Sequence, residues 1–438
     1  MLAAALGFLA ISIKVEMKGE TKKYKTISNE QATEMLAIAE TDIKDHYYDP
    51  NLNGLNIEQR FSKAKQEIQA AKSQDEALLD IAGAIAALRD SHTRLIPPTR
   101  PYGVDYGWVH EPVGDACCYV IAVRPDSDAF QKGLREGDRI EGINGLTVTR
   151  QNIESIDYSY SVFPQSGLHL RVRSPQGTER QIVAMAKVIP GQEVIRGIDV
   201  REWLRASHGE KDRSRYYSVG TSTLVWQLPD FLINPAEVDD LCHRARPYAT
   251  LILDLRRNSG GVEESMLKLV GNFFEDEVHI GVRKGRSDSI PLIAKSRGSK
   301  AFKGKLIVLI DSRSASASEI LARVIQIEKR GIVLGDRSAG AVGEAQDYVH
   351  AVKLDASNVT QYRIRVTVRQ LLMKDGKSLE NEGVVPDEIV VPTENDLAAG
   401  TDPVLARALQ IAGTEITPNA AGKILPFIWP KEHMPEIN

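Results

Sequence analysis

The chain has 438 residues and a formal net charge of −4; 42% of its residues are hydrophobic and 26% are charged. These values are ordinary for a globular protein of about two to three domains. So small a net charge does not indicate a nucleic-acid partner. Beyond the N-terminus there is no run of about twenty apolar residues, so an internal membrane span is not expected.

The cysteines and histidines give no sign of a bound metal. Cys117 and Cys118 are adjacent and Cys242 is distant, a spacing that fits neither a disulfide framework nor a zinc site. We therefore expect three reduced thiols. The nine histidines show no H-E-x-x-H spacing, and no phosphate-binding glycine loop is present. We predict neither a metal nor a cofactor.

Leu2–Ile13 is an apolar run of signal-peptide length, without a basic segment before it or a clear cleavage site. Residues 1–28 are assigned as a signal or anchor remnant, with a core helix as the alternative. Residues 29–100 are predicted to be helical, and the helix Asp75–Leu88 ends just before the sequence Asp90-Ser91-His92-Thr93.

Four further regions follow. Residues 101–190 contain short alternating strands, such as Cys118–Val123, and are predicted to form a separate domain. Residues 191–215 are charged and polar and are assigned as a connector. Residues 216–412 alternate strands with helices, which predicts an α/β core. Residues 413–438 are assigned as a C-terminal tail.

Three serines lie between a predicted buried strand, Leu306–Ile310, and an amphipathic helix that begins near Glu319. They alternate with alanine as Ser314, Ser316 and Ser318. Backbone N–H groups at a helix start are unpaired, so a hydroxyl there lies near donors that can hold an oxyanion. We predict that Ser318 is the N-cap and that Glu319 favours the helix dipole. One cap does not account for the other two serines.

Paired glycines end a second predicted buried strand, Thr250–Leu255. The loop Arg256–Gly261 breaks this strand sharply, and a helix is predicted from Val262. Gly260 and Gly261 permit positive φ and close approach of the backbone to a ligand. By itself the loop fits a plain strand-to-helix turn equally well.

Taken in order, these segments resemble the tricorn-like and C-terminal-processing serine peptidases over roughly residues 31–412. The resemblance implies a multidomain α/β protein with an N-terminal helical segment, a PDZ-like domain and a crotonase-like α/β peptidase core. The matching motifs are D-S-H-T at Asp90–Thr93, a PDZ-type signature at Pro125–Gly145, D-L-R-x-N-x-G-G at Asp254–Gly261, S-A-S-A-S-E at Ser314–Glu319 and E-N-x-G-V-x-P-D at Glu380–Asp387.

The resemblance also implies roles for individual residues. The middle serine, Ser316, is implied as the nucleophile, with Ser314 and Ser318 as alternatives. The oxyanion hole is implied to consist of the N–H of Ala317 together with that of Gly260 or Gly261.

The general base separates two branches of the family. One branch uses a Ser–Lys dyad, but Ala341 occupies the position of its lysine, and no lysine lies within a few residues. The tricorn-like branch uses a histidine preceded by serine, and a glutamate. His92 is therefore implied as the base, with an imidazole pKa near its usual value. Ser91 and Glu380 would orient it, and Glu382 is the alternative carboxylate.

A serine endopeptidase of this kind would cleave peptides or C-terminal regions of unfolded proteins, with the PDZ-like domain docking the substrate's C-terminus. The competing functions are an inactive family member that binds peptides, and another crotonase-like enzyme such as an acyl-CoA hydratase. Because members of the family are mostly exported, a periplasmic or secreted location is predicted over a cytoplasmic one. The sequence does not decide whether the protein forms a homo-oligomer.

Overall fold

The computed structural model describes residues 26–100, 102–115, 117–190 and 214–429. Predictions that concern Leu2–Ile13, the connector over 191–213 and the tail beyond Trp429 therefore lie outside the described residues. In the described part of the chain, no helix is both long and apolar enough to cross a membrane.

Eleven α-helices and nineteen β-strands make up the described residues, along with three short 3₁₀ turns at Leu52–Gly54, Pro235–Glu237 and Gly298–Lys300. The helices are α1 (Asn29–His46), α2 (Ile57–Ala70), α3 (Gln74–Ala86), α4 (Asp128–Gln131), α5 (Ile153–Val162), α6 (Val238–His243), α7 (Glu263–Gly271), α8 (Ala317–Ile327), α9 (Glu394–Ala399), α10 (Pro403–Ile411) and α11 (Pro418–Gly422). The strands are β1 (Arg94–Ile96), β2 (Tyr102–Asp105), β3 (Trp108–Val113), β4 (Cys117–Val123), β5 (Arg139–Ile143), β6 (Leu146–Thr147), β7 (Gly167–Arg173), β8 (Glu179–Met185), β9 (Lys187–Pro190), β10 (Arg215–Val219), β11 (Thr223–Gln227), β12 (Thr250–Asp254), β13 (Val278–Lys284), β14 (Ser289–Ala294), β15 (Lys305–Ile310), β16 (Ile332–Gly335), β17 (Glu344–Lys353), β18 (Val359–Met373) and β19 (Glu388–Ile389).

The N-terminal layer consists of α1, α2 and α3. Each begins at a side chain that accepts a hydrogen bond from the first turn: Ser28, Asn56 and Ser73. The apolar faces of these helices pack with the strands β17 and β18 around one core. Strand β1, directly after this layer, pairs antiparallel with β18. The segment that carries Ser91 and His92 is thus fixed between a helix end and a sheet.

The inserted domain, residues 102–190, is built on an antiparallel sheet in the order β3-β4-β5-β7-β8, with β6 added to β5. Its own apolar core includes Val120, Ile140 and Leu170. The ribbon of β2 and β9 joins the two ends of the domain. Because β3 lies at the end of the strand order, one of its edges pairs with no strand of the sheet.

The core domain, residues 214–429, contains a sheet in the order β10-β11-β12-β15-β16-β19. All its pairs are parallel except β10 with β11. Parallel strands end at the same edge of a sheet, and ligands of open α/β sheets bind there. Asp254 pairs with Leu309 in register, so the segments after β12 and β15 leave the sheet side by side. These segments carry Gly260 and Ser316.

Polar contacts join the inserted domain to this edge of the sheet. Asp336, directly after β16, accepts hydrogen bonds from the N–H of Gly114 at 2.9 Å and from Arg150 Nη1 at 2.8 Å. Glu111 of β3 accepts one from Arg257 Nε at 2.9 Å. The inserted domain therefore contacts segments that belong to the edge where the glycine loop and the serine turn lie.

Arg256 connects the end of β12 to the start of α10. Its guanidinium contacts both oxygens of Asp254, at 2.9 and 2.8 Å, and both oxygens of Asp402, at 3.0 and 2.8 Å. Asp402 is also the N-cap of α10. Burial acts to raise the pKa of Asp402, but Arg256 beside it holds that pKa below its usual value.

Arg256→Ala should lower the free energy of unfolding by about 3–5 kcal/mol, because it leaves two carboxylates without their cation in a buried site. Urea unfolding at neutral pH measures the change. Arg407→Ala removes an exposed pair with Glu388 and is the control, expected to leave the midpoint nearly unchanged. Equal effects of the two substitutions would contradict the structural role of Arg256.

Candidate active site

Ser316 is the N-cap of α8, a few residues after the end of β15. Its backbone has φ 56° and ψ −117°. A positive φ strains a residue that has a side chain, at a cost of about 1–3 kcal/mol. Ser316 is partly exposed, whereas Ala317, Ser318 and Glu319 after it are buried. The turn of residues 311–316, the nucleophile turn, therefore leaves the Ser316 side chain accessible.

The other two serines are buried and bonded to the backbone of the glycine loop. Ser314 Oγ donates to the carbonyl of Leu255 at 2.8 Å, and Ser318 Oγ donates to the carbonyl of Asn258 at 2.7 Å. The prediction that Ser318 is the N-cap is wrong: α8 begins at Ala317, and Ser318 lies inside the helix. The reason is that Glu319 pairs with Ser316 as a capping box, which sets the helix start two residues earlier.

Glu319 is fully buried, and its carboxylate accepts four hydrogen bonds. Oε2 accepts from the N–H groups of Ser316 and Ala341, both at 2.9 Å. Oε1 accepts from the N–H of Gly340 at 2.7 Å and from Ser338 Oγ at 2.6 Å. Burial raises the pKa of Glu319, and these donors oppose that shift because they stabilise the carboxylate. Glu319 therefore holds the Ser316 backbone against the segment 338–341.

Gly260 lies closer to the nucleophile turn than a side chain would allow. Its φ is +91°, and a Cβ there would lie 2.7 Å from Ser316 Cβ and 3.1 Å from the nitrogen of Ala317. Gly261 has φ +145°, and a Cβ there would lie 2.6 Å from the carbonyl carbon of Phe231. Both positions thus require glycine, for sterics as well as for φ.

Two backbone N–H groups of these segments have no acceptor among the described residues: that of Ala317, directly after Ser316, and that of Gly261, directly after Gly260. The N–H of Gly260, by contrast, donates to Asn258 Oδ1 at 2.9 Å. Gly260 is buried, whereas Gly261 is exposed. Of the two glycines, Gly261 therefore has the N–H that is available to an incoming oxygen.

His92 is positioned by the carboxylate of Asp90. Asp90 Oδ1 accepts from the N–H of His92 at 3.0 Å, from the N–H of Thr93 at 2.6 Å and from Thr367 Oγ1 at 2.5 Å. Thr367 belongs to β18, and its N–H donates to Thr93 Oγ1 at 3.0 Å. The first Asp of the D-S-H-T element therefore ties the histidine segment to the sheet.

Glu380, Ser91 and His92 form one chain of hydrogen bonds. Ser91 Oγ donates to Glu380 Oε2 at 2.9 Å and lies 2.7 Å from His92 Nδ1. The N–H groups of Ser91 and Val342 also donate to Glu380, each at 2.8 Å. Since the single hydroxyl proton of Ser91 points to Glu380, its oxygen accepts from Nδ1–H of His92. This tautomer leaves Nε2 of His92 with a lone pair.

Burial reverses the order of the pKa values of the two titrating groups. It lowers the pKa of His92 to about 4, and Arg94 and Arg365 act in the same direction, while Asp90 opposes them. It raises the pKa of Glu380 to about 7, against the hydrogen bonds from Ser91 and Val342. The expectation that His92 titrates near its usual pKa is therefore wrong, because the ring is largely removed from water.

The structure thus gives two clusters, one around Ser316 and one around His92, and the segment 341–343 lies between them. The N–H of Ser316 donates to the carbonyl of Ala341 at 3.0 Å, and Val342 bonds Glu380. A Cβ on Gly343 would lie 3.6 Å from His92 Nδ1. Among the hydrogen bonds of the described residues, none joins His92 to Ser316 directly.

Ala341, at the position of the dyad lysine, is in direct contact with Ser316 through this bond. Sequence reasoning gave Glu319 a lesser role, as a charge at a helix start. The spacing from Ser316 to Glu319 is that of a capping box, and this spacing could have indicated from the sequence that Glu319 bonds the Ser316 backbone. Nothing in the sequence pattern indicated that Val342 holds Glu380.

Within the described residues, no group of three or more His, Cys, Asp or Glu side chains is arranged to hold a metal.

Comparison with known proteins points to one family. Residues 223–390 match peptidase family S41. The chain is 24% identical to carboxyl-terminal-processing peptidase 1 of Arabidopsis thaliana over 377 residues, which cover 82% of this chain and 70% of that protein. It is 31% identical to the tail-specific protease of Haemophilus influenzae over 268 residues, or 58% of this chain and 36% of the relative.

Solved structures agree in fold. Mature CPAF complexed with lactacystin superposes with a TM-score of 0.62 at 14% identity, over 84% of this chain and 95% of that one. The tricorn protease superposes with a TM-score of 0.50 at 20% identity, over 88% of this chain and 36% of that one. The mixed α/β fold and the resemblance to serine peptidases are confirmed. The chain therefore resembles peptidase family S41 over residues 223–390 and is a serine-type peptidase.

Proposed function

We propose that this protein is an endopeptidase that hydrolyses peptides or C-terminal regions of proteins, with Ser316 as nucleophile and His92 as general base. The observation that carries the proposal is the chain from Glu380 through Ser91 to His92, because it leaves Nε2 unprotonated. The names of the relatives, carboxyl-terminal-processing and tail-specific, support the substrate class.

In the proposed reaction, Nε2 of His92 accepts the proton of Ser316 Oγ as this oxygen attacks the substrate carbonyl. The resulting imidazolium keeps its Nδ1–H bond to Ser91, and the charge of Glu380 stabilises it through Ser91. His92 then gives the proton to the leaving amine, and the C–N bond breaks. Water, deprotonated by His92, hydrolyses the acyl-enzyme and restores Ser316.

The oxyanion of the tetrahedral intermediate would accept from the N–H of Ala317 and from that of Gly260 or Gly261. The hydrogen-bond pattern favours Gly261, because Gly260 already donates to Asn258. Donors fixed before the reaction stabilise developing charge without reorganising. The strained backbone of Ser316 contributes by placing Oγ and the N–H of Ala317 on the same turn.

The inserted domain is proposed to be PDZ-like and to bind the substrate tail by strand addition. Its edge strand β3 and helix α5 would form the walls of the peptide site. A location outside the cytoplasm and a homo-oligomeric assembly stay predictions; one relative is named as chloroplastic. If the protein is instead an inactive family member that binds peptides, Ser316 should not be labelled by a fluorophosphonate probe.

Ser316→Ala should abolish labelling by a fluorophosphonate probe and cleavage of a peptide substrate without loss of folding, because only the nucleophilic oxygen is removed. Ser314→Ala and Ser318→Ala are the matched controls. Each should keep labelling. Ser318→Ala removes one buried hydrogen bond and should lose about 1 kcal/mol of stability, whereas Ser314→Ala also removes the bond accepted from the N–H of Asp311 and should lose about 2 kcal/mol. Undiminished labelling of Ser316→Ala would show that another serine is the nucleophile.

The pH dependence tests the roles of the base and the carboxylate. Activity requires neutral His92, which holds above about pH 4, and ionised Glu380, which holds above about pH 7. The rate should therefore rise with pH through an apparent pKa near 7 that belongs to Glu380. In Glu380→Gln this limb should disappear, leaving a lower plateau that falls only towards the pKa of His92.

His92→Ala should cost on the order of 10²–10⁴-fold in kcat, the usual contribution of a general base. Glu380→Gln should cost less, because one amide oxygen can still accept from Ser91 Oγ and Val342. The exposed Glu382 is the control, and Glu382→Gln should be close to wild type. A limb near pH 7 that persists in Glu380→Gln would contradict the assignment of that limb.

A further inference from the structure

The free edge of β3 is defined by its pairing with β4. His110 lies opposite Val120, and Pro112 lies opposite Cys118. The N–H of Val120 donates to the carbonyl of Asp138, and the carbonyl of Val120 accepts from the N–H of Gly137, both at 2.8 Å. Both backbone groups of Val120 therefore face away from β3. In an antiparallel pair, a residue opposite such a position directs its own backbone groups outwards. The carbonyls of His110 and Pro112 therefore lie on the edge that an added peptide strand would pair with.

The side chains of two residues of the nucleophile turn already donate hydrogen bonds to these carbonyls. Ser312 Oγ donates to the carbonyl of Pro112 at 2.5 Å. Arg313 Nη2 donates to the carbonyl of His110 at 3.3 Å. The core domain thus supplies, from side chains, the donors that backbone N–H groups of a bound peptide would supply.

Arg313 also reaches the other wall of the same groove. Its Nη2 lies 3.1 Å from Asp157 Oδ2, and Asp157 belongs to α5. Asp157 in turn pairs with Nε2 of His110 at 3.0 Å, across the groove from α5 to β3. The guanidinium therefore lies between β3 and α5 and is bonded to both.

We infer that Arg313 occupies the peptide groove of the inserted domain as an intramolecular stand-in for a substrate tail. The inference rests on the proposed peptide-binding role of that domain. A C-terminal peptide segment that pairs with β3 must displace Arg313 and Ser312 from the same carbonyls. Tail binding and docking of the nucleophile turn are therefore mutually exclusive.

Displacing Arg313 would also shift the backbone at Ser316, because the nucleophile turn is short and held by its own hydrogen bonds. The N–H of Arg313 donates to Asp311 Oδ1 at 3.0 Å, and the N–H of Ser314 donates to the carbonyl of Asp311 at 3.0 Å. Arg313 lies three residues before Ser316. A tail in the groove would thereby change the turn that carries the nucleophile, which couples recognition of the tail to catalysis.

The test measures binding of a short fluorescein-labelled peptide with a free C-terminal carboxylate, by fluorescence anisotropy, in the Ser316→Ala full-length protein to prevent cleavage. Arg313→Ala should tighten the Kd about tenfold, because the competing occupant is removed and the competent fraction rises. Arg313→Gln, which keeps much of the side-chain length, should also tighten the Kd. It replaces Arg313→Ala in the test if the alanine variant does not fold.

The matched control is Arg337→Ala. Arg337 lies at the same interface and pairs with the exposed Asp115 at 3.3 Å, but its side chain makes no hydrogen bond or ion pair with β3 or α5 among the described residues. The control should bind the peptide as the parent protein does. Equal affinity in all variants, no binding in any of them, or equal tightening in Arg337→Ala would each overturn the inference.

A second measurement uses the native serine. Adding the peptide should change the rate of fluorophosphonate labelling in the wild type and change it less in Arg313→Ala, where the peptide displaces only Ser312. An equal change in both would also overturn the coupling. The outcomes remain distinct from a failure of the proposed chemistry, because cleavage of a short, untailed peptide tests that chemistry without the groove.

Discussion

The buried carboxylate of Glu319 is the interaction on which the site depends. Each of its oxygens accepts two hydrogen bonds, from the Ser316 backbone on one side and from residues 338–341 on the other. Bonds to an ionised acceptor are roughly twice as strong as neutral ones, and they offset the strain of positive φ at Ser316. The same bonds fix the segment that continues to Val342, which holds Glu380.

The site is assembled from three distant parts of the chain. Ser91 and His92 come from the end of the N-terminal helical layer, Ser316 from the parallel sheet, and Glu380 from the segment after β18. Asp90 and Thr367 fix the first part to β18, and Glu319 joins the second to residues 338–341, next to Val342, whose N–H donates to Glu380 in the third. Burial then reverses the order of the pKa values of His92 and Glu380, so that at neutral pH the imidazole is unprotonated and the carboxyl group of Glu380 begins to ionise.

Much of this arrangement was predictable from local pattern. The two buried strands, the helix after the serines and the helix before Ser91 follow from hydrophobic periodicity. The family motifs named the residues that the structure brings together around His92 and around Ser316. The cap at Ser318 was predicted wrongly because alternating Ser and Ala residues offer several equivalent helix starts, and only the partner of Glu319 decides between them.

Other features depend on three-dimensional burial and could not be read from the chain. The pKa of His92 is set by the protein packed around it and not by its neighbours in sequence. The preference for Gly261 over Gly260 appears only once the bond from Gly260 to Asn258 is known. The position of Arg313 between β3 and α5 requires the docking of two domains, which leaves no periodicity in the sequence.

We infer that Glu319 positions Ser316 without touching the substrate. The most direct test is the rate of fluorophosphonate labelling in Glu319→Gln, measured together with kcat and KM for a peptide substrate. An amide in this site turns one acceptor oxygen into a donor that faces two other donors. The labelling rate and kcat should both fall by about 100-fold or more, the usual cost of displacing a reacting group by about an ångström. KM should change little and the protein should remain folded. Labelling and turnover at wild-type rates would contradict this role of Glu319.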